Sequence, residues 1–340
     1  MIYNAIDLFS GCGGLTVGLK KAGFDVLAGV ELNPVAAAAY ALNHGKDHLL
    51  QADIRTINAD SLAEYTQGRP VHLLAGCPPC QGFSSIRRLN RKQEVEDDRN
   101  DLVNEYFRLI SELEPATIMM ENVPQLEHYD LFQEIVATLR SMQYDIKTDV
   151  FNVAEFGVPQ RRKRFVMLGS KIGTIDMPRP PGEKKNVYET IGRLPLPQDS
   201  HDPVHKRHAR HGERVRTMIS LIPKDGGSRS SLPEEYRLKC HSKEGVGFND
   251  VYGRLRWKSV SSTITGGCLN PSKGRFLHPE QDRCITAREA ALLQTFPENY
   301  RFPENISLQA LALLIGNALP PQFSYYQAKY LHSHLQEYLR

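Results

Sequence analysis

Over the first 170 residues the apolar positions switch between a period of two and a helical period, and the switching predicts β-α units. "NAIDLFS" (4–10) reads as a strand ahead of a Gly-rich turn, and "LTVGLKKAG" as a helix ending at Gly23. "FDVLAGVE" (24–31) gives a second strand. Asn33 then stands as N-cap with Pro34 at the first helical position, opening "PVAAAAYALNHG". "HLLQADI" (48–54) and "VHLLAG" (71–76) are the third and fourth strands. "NDLVNEYFRLISELEP" carries apolar residues at 102, 103, 106, 107, 109, 110 and 113, one face of a helix. "TIMMENV" (117–123) is a fifth strand. Asp130 with Gln133 three residues on predicts a capping box, and two more strands fall near 144–153 and 164–170. Repeated β-α units imply a parallel, doubly wound sheet, whose ligands sit at the carboxyl ends of its strands.

The pattern breaks after about residue 175, where "PRPPGEKKN" and "RLPLPQDSHDP" are rich in proline and the following stretches in Gly, Ser and Arg. This predicts a second, smaller domain. Helical pattern returns with Thr286 and Glu289 as a capping box, then "SLQALALLIGNALPPQ" and a terminal helix in "QFSYYQAKYLHSHLQEYL" that is expected to pack back on the first domain. The boundaries expected are 1–177 plus 310–340 for the first domain and 178–309 for the second.

Composition narrows the class without naming a chemistry. With 41% hydrophobic and 24% charged residues in 340, the chain can build a sizeable core. No stretch approaches the ~20 apolar residues of a membrane span, and the first residues lack the basic start and apolar run of a signal peptide. The cytoplasm is the expected location. The six cysteines are then free thiols rather than a disulfide framework. A net charge of +3 identifies no partner.

"DLFSGCGG" (7–14) lies between the first strand and the first helix, with glycines at 11, 13 and 14 that let a ligand approach the backbone. Glu31, 24 residues after Asp7, ends the second strand, where an acid can bind both hydroxyls of a ribose; Asp53 ends the third and could bind an adenine amino group. A tight turn without a ligand is the competing reading of the glycines. No P-loop motif is present. The stretch "GCPPCQGFS" (76–84) contains a C-x-x-C, which can be a redox dithiol, half of a zinc site, or one working cysteine beside an idle one.

Five segments in one order, "DLFSGCGG", "GCPPCQGFS", "ENV" (121–123), "QRRKR" (160–164) and "GNALPP" (316–321), resemble the DNA (cytosine-5) methyltransferase family of prokaryotic restriction–modification type, over nearly the whole chain. The resemblance implies a Rossmann-like α/β fold, a doubly wound mixed sheet that binds S-adenosylmethionine, and a smaller irregular target-recognition domain. It implies Cys80 as nucleophile, Glu121 as the acid at ring nitrogen 3, and Arg162 and Arg164 of Q-x-R-x-R, one reaching the carbonyl oxygen of the base. Cofactor contacts fall to Phe9, Gly11, Cys12, Gly13, Gly14, Glu31, Leu32, Asp53, Ile54, Pro79, Leu102, Asn317 and Leu319. DNA contacts fall to Gln81, Ser84, Ser85, Arg87 and Arg88 of a polar loop after the nucleophile, and to Gln160, Thr263, Thr265 and Gly266. Double-stranded DNA is the expected partner and S-adenosylhomocysteine the expected product. A nuclease cutting the same site would act without a stable complex, and a monomer is expected. No metal is required, although His201, His205, His208 and His211 invite that alternative to a basic DNA-facing patch.

The chain departs from the family at Cys77, where Gly or Phe is usual, and the residue is expected to be a filler at the strand end. A thiol–disulfide oxidoreductase would place an aromatic before the first Cys; Gly76 stands there, and the one Trp is at 257. A non-catalytic DNA-binding relative would have lost Cys80 or Glu121. An amino-methylating enzyme would need a Pro-Pro-aromatic triplet, which the chain lacks. RNA methylation on the same fold remains as the second reading, but RNA enzymes of this fold have shorter recognition segments than the roughly 100 residues or more here, a length suited to readout in a DNA groove.

Overall fold

Strand β1 (Tyr3–Leu8) is buried along its whole length in the computed structural model, which describes residues 2–79, 101–182, 184–237 and 250–339. Burial on both faces explains why parallel strands read as near-continuous apolar runs. Around β1 forms a seven-stranded sheet of order β3-β2-β1-β4-β5-β7-β6, with β2 at Phe24–Val30, β3 at Leu49–Leu50, β4 at Leu73–Gly76, β5 at Thr117–Asn122, β6 at Asp145–Asn152 and β7 at Lys163–Ser170. The first five strands in that order pair in parallel, while β7 pairs antiparallel with both β5 and β6. The sheet is therefore mixed, as the resemblance implied, rather than wholly parallel.

The residues belong to two compact units. The first comprises 1–156, 163–181 and 319–340; the second comprises 157–162 and 182–318. Segments 157–162 and 310–318, expected in the first domain, group with the second unit.

In the first unit α4 (Asp101–Leu113) buries Val103, Tyr106, Phe107, Leu109 and Ile110 against the sheet, with Leu62 of α3 (Ala59–Thr66) and Phe132, Ile135 and Leu139 of α5 (Asp130–Ser141) in the same cluster. The Tyr106 hydroxyl lies 3.0 and 2.9 Å from the carbonyls of Leu74 and Met119, tying α4 to β4 and β5 together. On the other face α1 (Gly14–Lys21) meets the terminal helix α10 (Pro321–Tyr338), the sixth to ninth helices lying in the second unit. The contact is so close that a Cβ on Gly18 would fall 2.6 Å from the Tyr325 nitrogen. Helix α2 (Pro34–His44) is capped as expected, Asn33 Oδ1 accepting from the Val35 and Ala36 nitrogens.

Two local expectations are corrected. The third strand stops at Leu50 because Asp53 turns the chain into a 3-10 turn (Ile54–Thr56), accepting from the Arg55 nitrogen at 3.0 Å. Asp130 is the first residue of α5 rather than its cap; Tyr129 holds the cap position, and Gln133 Nε2 donates to the Glu127 carbonyl instead.

The second unit has little regular structure. It holds α6 (Val187–Ile191), α7 (Glu213–Ser220), α8 (Ala287–Leu293) and α9 (Leu308–Asn317). The Thr286–Glu289 capping box opens α8 as expected. Among the described residues of this unit there is no β-strand, and buried arginines collect carbonyls. Arg254, fully buried, donates to the carbonyls of Ile222, His278, Gln281 and Ile219 at 2.7–3.0 Å. Arg283 makes a forked pair with buried Glu289 at 2.7 and 2.8 Å. Backbone groups that would otherwise be orphaned in irregular chain find their partners this way.

Two tests follow from this packing. Gly18→Ala drives a methyl into the α10 backbone and should cost about 1–3 kcal/mol as over-packing, seen as a lower Tm; an unchanged Tm contradicts the close contact. Asp7, fully buried in β1, accepts from Thr16 Oγ1 at 2.6 Å, and burial raises its pKa from 3.8 to about 7. Between those values the folded chain holds a proton that the unfolded chain has lost, so Asp7 costs stability progressively as pH rises from about 4 towards 7. Asp7→Asn keeps an acceptor for Thr16 and should flatten the fall of Tm from pH 5 to 8; parallel Tm curves would count against it.

Candidate active site

The chain leaving β1 enters the left-handed region at Phe9 (φ 58°), Gly11 (φ 57°) and Gly13 (φ 93°). Gly is at ease there, whereas Phe9 is a non-Gly residue held in that region by its surroundings. Side chains fix this turn from several directions. Glu31, immediately after β2, accepts from the Gly11 nitrogen at 2.8 Å through one oxygen and from the Asn33 nitrogen at 2.7 Å through the other. Burial raises the Glu31 pKa, while the backbone N–H groups oppose the rise. Thr16, in the first turn of α1, bridges Asp7 and the Tyr40 hydroxyl.

His44 stacks at a tilt on Tyr40, 4.7 Å between centroids, and its ring bonds the Gly13 carbonyl. Burial, and then the charge of Lys20, lower its pKa to about 4, so the ring stays neutral. His44 and Tyr40 were not among the residues expected from sequence. Their signal was a helical repeat of aromatic rings on α2, which reads as core until its partners are seen.

The expected apolar contacts gather here. Phe9, Ile54 and Leu102 belong to one apolar cluster with Leu8 and Val30 at the carboxyl edge of the sheet, while Leu32, 60% exposed, stands outside it beside Glu31. Asp53 is half-buried, committed to its turn through one oxygen. Cys12 is buried, and burial pushes its thiol up to about 12, which leaves it protonated. Leu319 lies in the first unit and Asn317, exposed at the end of α9, in the second.

The second group of residues sits on β4, β5 and β7. Glu121, 7% exposed near the end of β5, makes an ion pair with Arg164 Nε of β7. The segment leaving β4 is held from both sides: the Cys77 nitrogen donates to the Leu8 carbonyl at 3.3 Å, and Asn122 Nδ2 donates to the Pro78 carbonyl at 3.1 Å. The Cys77 thiol donates to Glu121. Cys80, Gln81, Ser84, Ser85, Arg87 and Arg88 lie outside the described residues. The described cysteines at 12, 77, 268 and 284 are free thiols whose pKa values are all raised, first by burial, so none of these four is an activated nucleophile.

The two arginines of "QRRKR" part company. Arg164 joins Glu121 in the first unit. Arg162, 6% exposed, lies in the second, its Nη1 donating to the carbonyls of Ile264 at 3.0 Å and Gly316 at 2.9 Å. Gln160, expected at DNA, is fully buried: it donates to the Leu293 carbonyl and the Gln294 side chain and accepts from the Ile264 nitrogen at 3.0 Å. Thr263 Oγ1 donates to the Arg161 carbonyl at 2.6 Å, so Thr263 braces the same segment, with half-buried Thr265 and Gly266 following it.

The basic stretch 201–216 is also more internal than its charge suggests. His205 uses both ring nitrogens, on Thr286 Oγ1 and the Pro195 carbonyl at 2.9 Å each, and Arg207 reaches the carbonyls of Pro303, Glu304 and Ile306. Among the described residues no group of three His, Cys, Asp or Glu side chains is arranged to hold a metal ion. No helix among them is long and apolar enough to cross a membrane.

Comparison with known proteins agrees with this geometry. The profile of the C-5 cytosine-specific DNA methylase family matches residues 3–333. A Type II methylase of Herpetosiphon aurantiacus, M.HgiDII, is 36% identical over 94% of this chain and 92% of its own length. The Type II methyltransferase M1.HphI of Haemophilus parahaemolyticus is 33% identical over 94% of this chain and 84% of its own. Among solved structures, a candidate DNA modification methyltransferase encoded within an E. coli prophage superposes with a TM-score of 0.72 at 26% identity, covering 98% of this chain and 99% of that one. A match of this extent, joined to an acid–arginine pair at the strand ends, makes the chain a member of the C-5 cytosine-specific DNA methylase family.

Proposed function

We propose that the chain methylates carbon 5 of a cytosine flipped out of a specific duplex sequence, through a covalent bond from Cys80 to carbon 6, as part of a restriction–modification or related defence system. The observation that carries the mechanism is the buried pair of Glu121 and Arg164. Carbon 5 of cytosine is a poor nucleophile. Thiolate addition at carbon 6 converts the ring to an enamine, and the electron pair it pushes towards nitrogen 3 is met there by a proton from Glu121. Arg164 holds the Glu121 carboxyl in place and lies at hand for the carbonyl oxygen of the base. Loss of the carbon 5 proton, return of the nitrogen 3 proton to Glu121 and departure of the Cys80 thiolate then restore the aromatic ring and the enzyme.

S-adenosylmethionine supplies the electrophilic methyl group and leaves as S-adenosylhomocysteine. The first unit fits it: a left-handed Gly turn bares backbone groups, the Glu31 carboxylate stands at the end of β2, and exposed Leu32 with Phe9, Ile54 and Leu102 offers apolar surface for an adenine. On this reading Gly11, Gly13, Gly14, Glu31 and Asp53 hold the polar parts of the cofactor, and Pro79 and Leu319 complete its surroundings, while Asn317 is a contact that the family resemblance alone assigns.

The first unit is then the catalytic domain and the second the target-recognition domain. The family resemblance assigns Arg87 and Arg88 to DNA phosphates, and Thr263, Thr265 and Gly266 to DNA contacts as well. Arg162 and Gln160 act at one remove, fixing the backbone that carries Thr263 and Ile264. The defence role rests on the relatives being Type II methylases, and DNA rather than RNA as substrate rests on the same family match.

Bisulfite sequencing of DNA from cells expressing the protein should reveal one methylated cytosine motif. Cys80→Ala should erase it. Glu121→Gln should lower the rate with purified protein by about 10²–10⁴-fold, the range for a lost general acid. A folded, cofactor-binding protein that leaves every cytosine unmethylated would refute the proposal.

A further inference from the structure

The C-x-x-C at 77–80 contains a cysteine for which the proposed chemistry has no use. Its surroundings are specific. Gly76, the last residue of β4, pairs in parallel register with Met120, so the next residues, Cys77 and Glu121, are neighbours across the strands on one face of the sheet. The face is fixed by parity: Met120 points into the main apolar cluster, so Glu121 points to the opposite side. Backbone bonds on both flanks hold the Cys77 segment in that register, from the Leu8 carbonyl on one side and the Asn122 amide on the other. The thiol itself is desolvated and donates to the Glu121 carboxyl.

We propose that Cys77 is a positioning residue for Glu121, its thiol and the Arg164 guanidinium gripping the carboxyl from neighbouring strands and fixing the rotamer and proton affinity with which it meets the base. This rests on the reading of Glu121 as the acid of cytosine methylation. A thiol suits the position because it stays a neutral donor: burial, then the charges of Glu121 and Asp7, push its pKa well above the ordinary value, so no second anion forms beside the acid. Among the described residues, the charged and titratable groups around the pair are Arg164 on β7, Asp7 on β1, which itself feels Glu31, and Tyr106 on α4, whose hydroxyl is held by backbone carbonyls. Cys77 makes and breaks no bond in the reaction.

Two measurements test it. The first does not depend on turnover: infrared spectroscopy of the S–H stretch in the whole protein. The Cys77 band, identified by its loss in Cys77→Ala, should lie at the low frequency of a thiol bonded to a carboxylate and move up in Glu121→Gln. A band indifferent to Glu121→Gln overturns the contact whether or not the protein methylates cytosine.

The second is the pH dependence of kcat for DNA methylation. Cys77→Ala, shown to fold by retained S-adenosylhomocysteine binding, should lower kcat about 3- to 10-fold and move the Glu121 limb upward by about 0.5–1 pH unit, as loss of one donor to a carboxylate demands. Cys77→Ser, which keeps a donor, should restore most of both. A Cys77→Ala profile that superimposes on wild type, or a Cys77→Ser variant as impaired as Cys77→Ala, overturns the assignment. Absence of methylation by the wild type, by contrast, strikes the proposed function and leaves the infrared result to decide the contact.

Discussion

The buried ion pair between Glu121 and Arg164 ties β5 to β7 at the carboxyl edge of the first unit. A carboxylate at 7% exposure is costly unless a partner is supplied, and removing one member of such a pair costs about 3–5 kcal/mol. The partner comes from β7, which lies beside β5 because it inserts antiparallel between β5 and β6. A wholly parallel sheet would bring a different strand end to Glu121. The strand order is therefore part of the candidate site, and the mixed sheet is what allows Glu121 and Arg164 to share one edge.

The remaining features of that edge follow a common logic: backbone in unusual conformations is held by side chains from the next elements. Glu31, Thr16 and His44 fix the Gly turn after β1, and Asn122 fixes the prolines after β4. The second unit applies the logic to irregular chain, with Arg254, Arg162 and Gln160 each binding several backbone groups. Charge in that unit is spent on internal order as well as on its surface. Its arginine content is thus a poor guide to where DNA would lie.

Much of the first unit was legible because it rests on local rules. Asn33 with Pro34 and the apolar face of α4 each declare themselves within a few residues, as does the Thr286–Glu289 capping box in the second unit. The placement of Glu121 at a strand end followed from periodicity, and its role from resemblance. What could not be read depends on partners far along the chain. Gln160 and Arg162 look like surface residues in a basic run, yet their partners are Ile264, Gln294 and Gly316, more than 100 residues away. Asp130 obeyed the capping pattern but lost the position to Tyr129. Cys77 resembled filler because register between β4 and β5, not spacing in sequence, sets its neighbour.

In the proposed reaction Cys80 attacks carbon 6 of a cytosine activated by Glu121. A duplex containing 5-fluorocytosine tests it directly, since fluorine at carbon 5 cannot leave as a proton and the attack stalls at the covalent stage. Incubated with S-adenosylmethionine and such a duplex carrying the target sequence, the protein should form a complex that survives denaturation. Peptide mapping should place the bond at Cys80. A methylating enzyme that forms no such complex, or one whose bond maps to another residue, would contradict the account.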